Sequence, residues 1–117
     1  MSQKFIDYCS SRKATAIDFP FDENVLVFKV MGKIFALTNM KSLESINLKC
    51  DPAYAIVLRQ QHPGDIQPGY HMNKKHWNTV SLVGSLEEQL IFDLIDHSWE
   101  MTVKGFNRAT REKLGLF

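Results

Sequence analysis

Between Pro68 and Leu82 the chain reads Pro-Gly-Tyr-His-Met-Asn-Lys-Lys-His-Trp-Asn-Thr-Val-Ser-Leu, a turn that runs into a strand pattern. It concentrates histidines, lysines and asparagines beside two large aromatics. His71, Asn73, Lys74, His76, Asn78 and Thr79 supply cations, amides and a hydroxyl, the donor set used for phosphate and sugar contacts. Trp77 and Tyr70 could stack on unpaired bases, at about 1–3 kcal/mol per base. On an extended backbone Lys74 and Lys75 point to opposite sides, with His71 and Asn73 on the side of Lys75. The competing structural reading makes Trp77 a core residue at the start of an alternating strand. The histidines and asparagines would then bond backbone groups of a long turn.

Other chemistries have weaker support. His71, His76 and Asp65 lie close in sequence, but zinc needs three or four converging ligands and no Cys pattern accompanies them, so no metal or cofactor is expected. The chain contains no G-x-S-x-G elbow, phosphate loop or H-E-x-x-H helix, and no enzymatic role is expected. Glu87, Glu88, Asp93, Asp96 and Glu100 read as the solvated face of a helix. That acidic face would repel phosphates, so any nucleic acid must use the sheet edge, the hairpin with Lys29 and Lys33, and the loop around Lys74. Cys9 and Cys50 are far apart on apolar-patterned segments, where inert buried thiols are usual.

The chain's 117 residues suit one domain, 1–117, with enough length for a hydrophobic core. A formal net charge of +1 excludes a global polycation, so anion binding must come from a local patch. No run approaches the roughly 20 apolar residues of a membrane span, and the N-terminus has no signal-peptide core. Two free thiols are expected in preference to a single Cys9–Cys50 disulfide, and with these absences they make the cytoplasm the expected location.

Several elements must position the candidate residues. Ser2 can cap a short helix that turns Phe5, Ile6 and Cys9 to one side. Ala14–Phe21 reads as an extended piece stopped by Pro20. Val25–Met31 and Lys33–Thr38 are strand-like, with hairpin spacing around Gly32. Ser45–Cys50 alternates as a third strand. Asp51-Pro52 signals a helix start, and that helix carries Tyr54, Ile56, Val57 and Leu58 and stops before Pro63-Gly64. A short strand falls within 65–70 and another over Trp77–Leu82. Ser85-Leu-Glu-Glu88 predicts a capping box opening a long amphipathic helix. The basic tail from Lys104 adds a short helix ending at Gly115. This order gives an α+β two-layer sandwich, an antiparallel sheet with helices on one face.

Three motifs are similar to those of a known family. They are Asp18-Phe-Pro-Phe21 followed by Val25-Leu-Val-Phe-Lys-Val30, then Lys33-Ile-Phe-Ala-Leu37, and then His71-Met-Asn-Lys-Lys-His-Trp-Asn-Thr-Val80 leading to Gly84-Ser85. From about Phe5 to Phe106 the chain resembles the MmcQ/YjbR family of small bacterial proteins, described as double-wing DNA-binding proteins. Members often carry Leu-Pro-Gly after the first helix, where this chain has Ser11-Arg12-Lys13. The resemblance implies a sandwich with secretion-chaperone-like topology and DNA as the partner. The expected role is therefore non-enzymatic DNA binding of modest affinity. The alternatives are a protein-interaction module using the sheet surface, or a small-molecule site at the same loop. The sequence shows no dimer interface.

Overall fold

The computed structural model describes residues 2–69 and 72–115. The elements are α1 (Gln3–Ser10), β1 (Thr15–Asp18), β2 (Val25–Val30), β3 (Lys33–Asn39), β4 (Ser45–Lys49), α2 (Pro52–Gln61), β5 (Ile66–Pro68), β6 (Trp77–Ser81), α3 (Glu88–Lys104) and α4 (Arg108–Lys113). The strands form one antiparallel sheet ordered β1-β2-β3-β4-β6-β5. The α+β sandwich expected from the sequence is the observed architecture. Among the described residues no helix is long and apolar enough to cross a membrane.

Local chemistry accounts for several joints. Met31 and Gly32 both take positive φ, 49° and 80°, the two-residue hairpin geometry that matches strand twist. Asp51 caps α2 by accepting the Tyr54 N–H at 3.1 Å, with Pro52 following it. The alternation of the strands sends Leu26, Phe28, Val30, Ile46, Leu48, Ile66 and Val80 into a core shared with Ile91, Leu94 and Ile95 of α3. Phe5, Ile6 and Cys9 of α1 join it, as the sequence predicts. Burial pushes the Cys9 thiol up to about 12 and the Cys50 thiol up to about 11, so both stay protonated and poorly reactive.

A β-bulge organises the centre of the sheet. Phe28 pairs with Ala36 and Lys29 with Ile34, leaving Phe35 as the extra residue. Phe35 and Ala36 are both fully buried in the core. Between β3 and β4 the registered pairs are Leu37–Asn47 and Ala36–Leu48. Phe35 and Lys49 would come next, but the hydroxyl of Ser98 stands between them. Ser98 Oγ donates to the Phe35 carbonyl and accepts the Lys49 N–H at 2.8 Å. A fully buried serine on α3 thus completes the ladder where the strands part.

Two expectations are revised at α3. No capping box forms: the helix begins at Glu88, behind an extended Glu87 without a side-chain cap bond. Ser85 Oγ instead donates to Asp65 at 2.8 Å, and Gly84 passes so close that a Cβ there would fall 2.0 Å from the same carboxylate. A charged acceptor outcompetes a helix cap for the serine, while Glu88 pairs with Lys4. The acidic face of α3 is also not wholly solvated. Asp96 is half-buried and accepts from Tyr8 Oη at 2.7 Å and Arg12 Nη1 at 3.0 Å, fastening α1 to α3. Of the apolar residues carried by α2, Leu58 enters the core together with Ala55, whereas Tyr54, Ile56 and Val57 remain exposed.

Ser98→Ala should leave the Phe35 carbonyl and the Lys49 N–H buried without their partner, costing about 1–3 kcal/mol of stability. Urea denaturation of the two proteins measures the difference; an unchanged midpoint would mean that the strands close up without the hydroxyl.

Candidate nucleic-acid interface

The helices occupy one side of the sheet, and the cross-strand register identifies the residues on the other. Asn47 of β4 stands opposite Leu37 of β3 and Thr79 of β6, and Thr79 stands opposite Gln67 of β5. One step along lie Lys49 opposite Trp77, and at the other end Ser45 opposite Ser81. Thr79 Oγ1 donates to Asn47 Oδ1 at 2.6 Å across this surface. Val27 and Lys29 of β2 face the same way, with Asp18 of β1 beside them. Asp18 is the only acidic residue within the six described strands. It is paired with Lys29 at 2.9 Å, and this hydrogen bond, aided by the Phe19 N–H, holds its carboxyl below the usual range.

Before β6 the chain makes a tight loop. Asn73 Oδ1 accepts the Lys75 N–H at 2.9 Å, and the Asn73 carbonyl accepts the N–H groups of His76 (3.1 Å) and Trp77 (3.0 Å). The segment is therefore a turn, and the alternation expected of Lys74 and Lys75 on an extended backbone does not apply. Both lysines are exposed, as is Asn73. The Gly69 N–H donates to the Trp77 carbonyl at 2.8 Å, and a Cβ on residue 69 would lie 2.7 Å from Trp77 Cβ. Only glycine fits that approach.

Arg59, in the last turn of α2, holds this loop in place. Its Nε donates to Asn78 Oδ1 at 2.7 Å, and its Nη2 donates to the carbonyls of Lys74 and, at 3.3 Å, Trp77. The Cys50 N–H adds a bond to the His76 carbonyl at 2.8 Å. Two backbone oxygens of the loop thus rest on one guanidinium, and the lysines stand on a fixed base.

The structure separates the sequence-predicted residues into groups. Asn73 and Lys74 are at the surface of the loop, and Thr79 lies half-buried on the helix-free face. Trp77 is 8% exposed, so it belongs to the fold, yet Lys49 Nζ sits 6.0 Å from its ring centroid, within cation–π range. Asn78 is 2% exposed on the helix side, which removes it from any surface contact. His76 is half-buried with its backbone engaged on both sides, and His71 and Tyr70 lie outside the described residues. Sequence reasoning missed Lys49 and Arg59. The alternation of Ser45–Lys49 carried the signal for Lys49, while Arg59 has none, since its role depends on α2 packing beside β6.

The face is asymmetric along its length. Lys49, Lys74 and Lys75 mark one end. At the other, Glu44 and Asp65 border an open hollow of about 220 Å³ that also touches Gln67, Thr79 and Ser81. The remaining carboxylates of note, Glu88, Asp93, Asp96 and Glu100, belong to α3 on the opposite side of the sheet. Lys49 lies on the face itself, opposite Trp77, and Lys74 and Lys75 are exposed on the loop that leads into Trp77.

Arg59→Ala should release the 72–77 loop and leave Asn78 buried without its partner, a loss of about 1–3 kcal/mol. Faster hydrogen exchange at His76 and Trp77, with exchange in α1 unchanged, is the expected signature; uniform exchange throughout would show that Arg59 does not anchor the loop.

Comparison with known proteins places this architecture among its relatives. The YjbR family model matches residues 10–101. The uncharacterized protein YbdF of Escherichia coli O157:H7 is 40% identical over 97 residues, covering 82% of this chain and 79% of that protein. The uncharacterized protein YjbR of Escherichia coli K12 is 34% identical over 112 residues, covering 95% and 94%. The crystal structure of Deinococcus radiodurans protein DR2400 superposes with a TM-score of 0.90 at 40% identity, covering 98% of this chain and 88% of that one. With the matched model spanning β1 through most of α3, and relatives this similar along nearly the whole chain, the protein belongs to the YjbR family.

Proposed function

We propose that this protein is a non-enzymatic nucleic-acid-binding protein, with DNA as its partner, that engages a phosphate backbone at the basic end of the helix-free face. The observation that carries the reading is the grouping of Lys49, held over Trp77, with the exposed Lys74 and Lys75 of the anchored loop. Asn73 adds an exposed amide beside them and Thr79 a hydroxyl on the floor. The sheet surface next to this group is polar, with Ser45, Asn47, Thr79, Ser81 and Gln67, which suits a hydrated backbone better than an apolar protein segment. The hollow beside Thr79 and Ser81 has Glu44 and Asp65 on its rim, which does not favour a small anionic ligand there.

Three cations set the scale of binding. With about 0.9 counterion released per phosphate on duplex DNA, the log–log salt slope should be about −2.7, roughly a 40-fold loss of affinity from 50 to 200 mM salt. Such affinity suits a weak, sequence-tolerant binder.

Fluorescence anisotropy of labelled single- and double-stranded DNA tests this directly. Lys49→Ala and Lys74→Ala should each weaken binding and reduce the slope by about one contact. Lys104→Ala, at the end of α3, should leave it unchanged. Absence of binding by the wild type at low salt, or equal losses in all three variants, would overturn the reading.

A further inference from the structure

The two edges of the sheet are unlike. β5 is three residues long and ends in Pro68, a short, proline-terminated edge of the kind that resists pairing. β1 is less protected: it contains no lysine, proline or bulge, Pro20 stands two residues beyond its end, and its residues beyond Thr15 are exposed. Its acidic residue, Asp18, is already neutralised by Lys29. Large apolar side chains continue along this margin, with Ile17 53%, Phe19 46% and Phe21 67% exposed. Ile17 lies within β1 and Phe19 just past its end.

We propose that β1 is a self-association edge, where a second copy of this chain adds its own β1 antiparallel and joins two six-stranded sheets into one. The choice of a second copy rests on charge complementarity. Arg12 is spent on Asp96 and Asp18 on Lys29, which leaves Lys13 at the entrance of β1 and Asp22 and Glu23 beyond its exit. An antiparallel copy therefore sets each basic entrance beside the other's acidic exit, twice, whereas a parallel copy would set like against like.

The register follows from strand geometry. Only alternate residues of an edge strand turn both N–H and C=O outward, so facing residue numbers must sum to an even value and the dyad passes beside one residue. An axis at Ile17 puts Ile17 against its own copy, Thr15 against Phe19, and Asp18 against Ala16. It brings Ile17 and Phe19 into the joint and keeps the two Asp18 carboxylates apart. Because the axis is perpendicular to the sheet, both helix layers fall on one side and both helix-free faces on the other. The pairing stands independently of what those faces bind.

Sedimentation across micromolar to millimolar concentrations, without nucleic acid, should show a species of twice the 13.5 kDa chain mass. Ile17→Asp, which sets two carboxylates against each other at the dyad, should weaken association at least about ten-fold. Ile17 is exposed, and circular dichroism verifies that the variant stays folded. Ile17→Cys should form an intermolecular disulfide under mild oxidation, since directly facing residues lie within bonding distance. Met31→Cys, exposed at the hairpin tip, is the control, and the native Cys9 and Cys50 are buried. A monomer at every concentration overturns the proposal. So does a dimer that survives Ile17→Asp while Ile17→Cys crosslinks no faster than Met31→Cys, which would place the interface elsewhere.

Discussion

The bond network around the Ser98 hydroxyl is the constraint on which the other parts of the fold depend. It accepts one backbone N–H from β4 and donates to one carbonyl from β3, in the place where those strands cease to pair with each other. The bulge at Phe35 creates the opening, and in return both Phe35 and Ala36 reach the core. Without a polar group entering from α3, two buried backbone groups would lack partners in a low-dielectric interior. The serine also fixes the rotation of α3, because its neighbours one turn away must then face the sheet. Thr102 follows that geometry, buried and bonded back to the Ser98 carbonyl at 3.0 Å.

From that anchor the basic surface is reached in two steps. Lys49 is both the residue whose N–H meets Ser98 and the cation placed over Trp77, so one strand position serves the core with its backbone and the surface with its side chain. Arg59 makes the second step, from α2 to the loop. Its guanidinium is mostly spent on carbonyls, so its charge organises the site from within and leaves the outward electrostatics to the lysines.

The legible parts of this fold are those decided by neighbours in sequence. Met31-Gly32 and Asp51-Pro52 carry their own backbone preferences, and alternation placed β2, β3, β4 and β6. Ser85 misled because its local partner, the start of α3, lost to Asp65, twenty residues away. The turn before β6 is legible in the sequence, but the sides taken by Lys74 and Lys75 are not, because Asn73 closes the loop with its own side chain and carbonyl. Of the candidate contacts, Lys74 and Asn73 emerged at the surface. Asn78 and Trp77 were drawn inward by Arg59 and by the start of β6, contacts no short-range pattern encodes.

The strand order carries a consequence for how the chain reaches its native state. β1 to β4 form a meander in which each strand pairs with the one just synthesised, and β5 and β6 are likewise joined by a short loop. The junction between these halves is β4 against β6, where Asn47 meets Thr79 across thirty-two residues and the whole of α2. Closing that loop carries the largest entropic penalty among the strand pairings, since the others need only local closure. The folding barrier is therefore expected at the meeting of two preformed pieces, and β6 enters the sheet last even though two elements follow it in the chain.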